Sequence, residues 1–152
     1  MNIRILLLAL LSASFSFAAA PPSAAPPVSE SSVDNERLVL VYAHLKNAEQ
    51  VATGGVVLSN DDLLTSGRTM TREALKKECG ALVDKTLAAV SSAPTNRRPE
   101  TMAYMKDAML RLTLNREEPH AGHVSWAQAN RDKVSLFIRN YAKAIKDALT
   151  KI

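Results

Sequence analysis

The sequence predicts an all-α fold: an up-and-down four-helix bundle with a small extra element between its first and second helices. Three observations carry that expectation. Apolar residues recur at helical spacing through four long segments. The breaks between those segments hold glycine, proline and asparagine where helices end or begin. The connections are short or moderate, which favours antiparallel neighbours around a common core. No internal repeat is found.

The chain opens with one positive charge at Arg4, a short apolar run from Ile5 to Leu11, and then small residues. That order is the grammar of a secretory signal peptide, expected over residues 1–18 with cleavage after Ala18, since a cut after Ala20 would meet Pro21. A membrane span needs about 20 predominantly apolar residues, and Ser12, Ser14 and Ser16 interrupt this one too soon. Removal rather than stable anchoring is therefore expected. Residues 19–32 are rich in Pro, Ala and Ser and read as a spacer. Residues 33–152 are expected to form one helical domain, because a chain of this size can bury a self-sufficient core.

The first helix is expected over Val33 to Thr53, with Ser31, Ser32 and Asp34 as candidate caps and Gly54-Gly55 as terminator. Leu38, Val41, Tyr42, Leu45, Ala48 and Ala52 share one face. The stretch LVLVY has a strand-like composition, but the helical spacing persists over four turns and decides for helix. A short element follows, capped by Ser59 and ended by Gly67.

The second long helix runs from about Met70 to Val90, with Leu75, Cys79, Leu82, Val83, Thr86 and Val90 along one side. After the loop SSAPTNRR, Pro99 suits the first turn of a third helix. The stripe of that helix is Met102, Met105, Ala108, Met109 and Leu112, and it ends near Asn115 to Pro119. For the last helix, Ser125 and Gln128 form a capping-box pattern. Its inward face holds Val134, Phe137, Ile138, Tyr141, Ile145, Ala148, Leu149 and Ile152.

Composition bounds the function. The 19 Lys and Arg against 15 Asp and Glu give a net charge of +4, and losing Arg4 with the leader would leave 18 against 15, or +3. That is too mild to argue for a nucleic-acid partner. The single Cys79 cannot form an internal disulfide. Its place in an apolar stripe makes it a small buried hydrophobe rather than a nucleophile with a base beside it.

The stretch EEPHAGHVSW, residues 117 to 126, is the richest in chemistry. His120 and His123 are candidate metal ligands, with Glu117, Glu118 or His44 able in principle to complete a set. The His-Glu-x-x-His pattern is missing, and Pro119 and Gly122 suggest a turn leading into the final helix. No cofactor is expected. Cys-x-x-Cys-His is absent, and a His44 pairing with Met102, Met105 or Met109 would spend methionines that sit on a core stripe. There is no nucleophile elbow and no glycine-rich phosphate loop, so an enzyme is the minority reading.

The resulting expectation is a small exported helical module, periplasmic or secreted. It would act by stoichiometric contact with another envelope or secreted protein, as inhibitors, immunity proteins and chaperone-like factors do. Trp126, His120, His123, Glu117 and Glu118 are the candidate contact residues, since aromatic anchors are enriched in binding hot spots. The alternative is a metal or cofactor carrier using the histidine pair.

Overall fold

The computed structural model describes residues 33–92 and 97–152. The expected signal peptide and spacer, and the middle of the loop SSAPTNRR, lie outside the described residues. Within them the chain is all-helical, with six α-helices and no strand: α1 (Asn35–Thr53), α2 (Asn60–Arg68), α3 (Arg72–Ser92), α4 (Arg98–Leu114), α5 (His120–Ala129) and α6 (Val134–Leu149). None of these helices is long and apolar enough to cross a membrane.

Asp34 caps α1, its side chain accepting from the Arg37 N–H at 2.7 Å, and Gly54 ends it in the left-handed region at φ 80°. Such a conformation costs a residue with a Cβ more than it costs glycine. LVLVY is helical throughout, and Leu38, Val41 and Leu45 are fully buried.

Ser59 caps α2 as expected, accepting from the Asp62 N–H. Gly67 does not end the helix; it sits buried in the last turn. A Cβ there would lie 3.0 Å from a Val39 methyl and 3.2 Å from the Tyr42 ring. The missing side chain lets α2 approach α1, and that packing need is why this glycine continues a helix instead of breaking it.

Thr71 accepts from the Ala74 N–H and so starts α3 two residues after the expected Met70. Its buried residues are the expected six, Leu75, Cys79, Leu82, Val83, Thr86 and Val90. Thr86 is tolerated there because its hydroxyl donates to the Leu82 carbonyl at 2.7 Å. Pro99 lies in the first turn of α4, and Asn115 closes that helix at φ 47°, ψ 47°. Met102, Met105 and Leu112 are fully buried. The Arg37 guanidinium of α1 donates to the Arg111 carbonyl at 2.7 Å and the Leu112 carbonyl at 2.5 Å, pairing backbone acceptors that the last turn of α4 leaves open.

The expected start of the final helix is corrected. Residues 120–129 are themselves a helix, begun by Pro119, and Ser125 is an exposed residue in its middle. A break at Asn130 and a 3-10 turn, Arg131–Lys133, separate it from α6. The capping-box pattern failed because the helix already begins six residues earlier, after Pro119, which holds the N-cap position at φ −60°, ψ 121°. On α6, Val134, Ile138, Ala142, Ile145, Ala148 and Leu149 are buried, while Phe137 and Tyr141 are partly so.

α1 packs against α2, α3 and α4, α4 also packs against α5 and α6, and α3 packs against α6. Most of the buried apolar side chains form one cluster. A second, smaller one joins Ala52, Val90, Met102, Ala127, Val134 and Ile138. Cys79 belongs to the first, a free thiol with no exposed surface, and burial, reinforced by Glu78, pushes its pKa up to about 12. It remains protonated and unreactive at ordinary pH.

Candidate functional site

The site grows from two pairs of residues three apart. On α4, Tyr104 and Asp107 are one helical step apart, and on α5 so are His120 and His123; side chains at that spacing share a face. Where the two helices meet, the Asp107 carboxylate receives both imidazoles. His120 Nδ1 lies 2.6 Å from one oxygen and His123 Nδ1 lies 2.7 Å from the other. The Tyr104 and His120 rings are 4.1 Å apart between centroids.

His123 is buried, and its Nε2 lies 3.0 Å from Glu118. Both ring nitrogens thus face carboxylates, Asp107 on one side and Glu118 on the other. The bond to His123 is the main cause that holds the Glu118 carboxyl below its ordinary range, against some desolvation, with Arg116 and Lys106 adding to it. Arg116 meets Glu118 at 2.9 Å, and Arg111 meets Glu117 at 3.2 Å.

The outcome is a chain of charge-assisted contacts, Arg116 to Glu118 to His123 to Asp107 to His120. At the cleft end of that chain, the His120 side chain is 34% exposed, while its Nε2 is buried and has no hydrogen-bond partner among the described residues.

His120, Asp107 and Tyr104 line a cleft of about 610 Å³ with Glu117, Glu118, Arg116 and Pro119 on the same side. His44 and Asn47 of α1, the connector residues Val57 and Leu58, and Asn60 at the start of α2 complete it. Burial pushes the His44 imidazole below its ordinary value, against the pull of Asp107 and Glu117. It also raises the Tyr104 hydroxyl, with Glu100 and Asp107 adding to the effect.

The connector is held by a buried amide. Asn47 accepts from the Leu58 N–H at 3.0 Å and donates to the Leu58 carbonyl at 3.3 Å. Val56, Val57 and Leu58 remain exposed, Val56 at 79%.

The structure divides the expected contact residues. Glu117, Glu118 and His120 line the cleft, and His123 lies beneath it. Trp126 is elsewhere, 41% exposed and packed edge-to-face on Phe137 at 4.9 Å. As for metal, the two histidines share one carboxylate rather than converging on a common point. No three His, Cys, Asp or Glu among the described residues are arranged to hold an ion.

Tyr104, Asp107 and Asn47 were not singled out from the sequence. The signal available was a tyrosine and an aspartate one helical step apart beside a methionine stripe, matching the step between the histidines. It requires knowing that α4 and α5 touch.

Comparison with protein-family models, with curated proteins and with solved structures finds no match to this chain.

Proposed function

We propose that the chain is an exported helical binding module that acts by stoichiometric contact with another envelope or secreted protein, and that the cleft beside α5 is its contact site. The single observation that supports this is the cleft itself. It joins two exposed apolar residues of the connector, Val57 and Leu58, to a network of paired polar side chains. Recognition sites combine an apolar body with a few placed polar groups in this way. The apolar stretch Val56 to Leu58 stands out from an otherwise mixed surface. The leader-like residues 1–18 support the exported address.

We read α1, α3, α4 and α6 as an up-and-down four-helix bundle, with α2 and α5 as additions flanking the cleft. The reading is supported by each of the four packing against two of the others. In that arrangement the cleft is walled by α1 and α4, the connector ahead of α2 and the turn that starts α5.

The test is capture from an envelope extract with wild-type protein, Leu58→Asp and Trp126→Ala, each with and without a chelator. A one-to-one partner should be retained by the wild type and lost with Leu58→Asp, and it should be indifferent to the chelator. A partner lost only with Trp126→Ala would move the contact site off the cleft, and a chelator-sensitive partner would favour a metal-dependent role.

A further inference from the structure

We propose that the chain docks reversibly onto an anionic phospholipid bilayer through the outward face of the first half of α6, with Trp126 and Leu136 entering the headgroup layer. The inference goes beyond the binding-module reading and uses a surface that shares no residue with the cleft.

Lys133, Leu136 and Arg139 follow one another at three-residue spacing from the cap of α6 onward, and all three are exposed. Side chains so spaced share a helix face, so Leu136, 49% exposed, stands between two cations. Trp126 borders the same face by way of Phe137, the residue after Leu136, against which its ring packs. Arg131, in the turn before α6, adds a third cation. Among the described residues Arg131, Lys133 and Arg139 make no ion pair, whereas Lys143 and Lys146 farther along α6 are matched by Asp147 and Asp84. From Pro119 to Lys146 the sequence holds one acidic residue, Asp132, against five Lys and Arg.

Beside this face lies a second hollow, of about 250 Å³, where α3, α4 and α6 meet. Arg98, Arg139, Ser91 and Ser135 line it together with the buried Val90 and Ile138, and none of its lining residues is acidic. Guanidinium and hydroxyl groups suit phosphate oxygens. The apolar floor suits the esterified glycerol that a lipid phosphate carries. Arg139 belongs to both the face and the hollow, so a headgroup held there lies beside Leu136.

Trp126 and Leu136 line neither the hollow nor the cleft. Apolar tips that project among cations fit a bilayer without any shaped counterpart, since its headgroup layer favours tryptophan and its negative surface attracts each Lys or Arg. An acidic protein would have to supply a separate socket for each tip.

The test mixes the full chain with vesicles of phosphatidylcholine alone or of phosphatidylcholine with phosphatidylglycerol, with brominated acyl chains that quench a tryptophan in contact with them. Trp126 is the only tryptophan, so attachment through residues 1–18 does not itself produce the signal. With anionic vesicles Trp126 emission should shift to the blue and be quenched, and high salt should reverse both. The double variant Lys133→Glu/Arg139→Glu should raise the lipid concentration for half-maximal quenching at least about tenfold. Leu136→Ser should raise it less, and Leu58→Asp should leave it unchanged.

Equal quenching by neutral and anionic vesicles, or none by either, would overturn the proposal. So would a charge-reversed variant that binds as the wild type does. An acidic protein retained by the wild type and released by the same charge reversal, with no quenching by vesicles, would assign the face to a protein contact instead.

Discussion

Helix α3 and the α4–α5 junction bury side chains in opposite ways. The inward face of α3 is five apolar or sulfur-bearing residues and one threonine that bonds its own backbone. Each contributes by leaving water, so each contribution is local. At the α4–α5 junction the buried groups are an aspartate and a histidine, tied outward to Glu118 and Arg116. Here each group is tolerable only because the others are present. The first region should respond to mutation additively and the second should not.

The largest expected effect is Asp107→Ala, which removes the buried carboxylate that both imidazoles meet. Removing one member of a buried ionic pair costs about 3–5 kcal/mol, readable in denaturant unfolding. The double variant Asp107→Leu/His123→Leu should cost less than the sum of its single changes. An additive result would show that the junction behaves like α3.

Leu82→Ala, at a fully buried position, should cost about 2–5 kcal/mol. Combined with Asp107→Ala its cost should simply add, and a coupling beyond about 0.5 kcal/mol would mean the two regions are not independent.

Gly67→Ala tests packing alone. The added methyl would press on Val39 and Tyr42 at 3.0 and 3.2 Å, and overpacking of this kind costs about 1–3 kcal/mol. A stabilised variant would show that α2 can move away from α1 freely.

The pH dependence probes the junction and the cleft beside it without mutating the core. The Glu118 carboxyl is held below its ordinary value of 4.5. Its contribution is therefore present above that value and disappears as the pH falls through the folded-state value. His44 lies below its ordinary 6.5, so the unfolded chain takes up the proton first and stability declines as pH drops from about that value. Glu118→Gln should flatten the acid limb and His44→Leu the limb nearer neutrality, in melting temperature against pH. A profile unchanged by both would remove these groups from the account.

The smallest effect expected is Ser125→Ala. A mid-helix exposed site should change stability by less than about 0.5 kcal/mol, whereas loss of a true cap costs about 1 kcal/mol. Circular dichroism melts distinguish the two.

The same contrast explains what could be read from the sequence. The α3 face was legible residue by residue because hydrophobic periodicity is a local property, repeated every turn. The end of α1 was legible from Gly54 for the same reason, and Asp34 was one of three candidate caps for its start. The α4–α5 junction was not. Its histidines and glutamates were visible, but the residue that organises them, Asp107, is 13 positions from His120 and belongs to a different helix. Nothing periodic marks it.

Local signals also conflicted around residue 120. The pattern at Ser125 and Gln128 competed with the start set by Pro119, and tertiary contact of both histidines with Asp107 favours the proline. Gly67 shows the converse: a residue that ordinarily ends helices was kept inside one by the closeness of α1.

Asn47 has one more consequence, for resistance to proteolysis. The connector Val56 to Leu58 looks like an inviting place to cut, exposed and apolar between two helices. A protease must draw such a segment out as an extended strand. Doing so here would tear the Leu58 backbone from an amide that is only 2% exposed, leaving both halves of that amide buried without partners. The loop that offers its side chains outward is thus fastened by its backbone. Limited proteolysis is expected to cut Val56–Leu58 slowly in the wild type and faster in Asn47→Ala, which frees the Leu58 backbone.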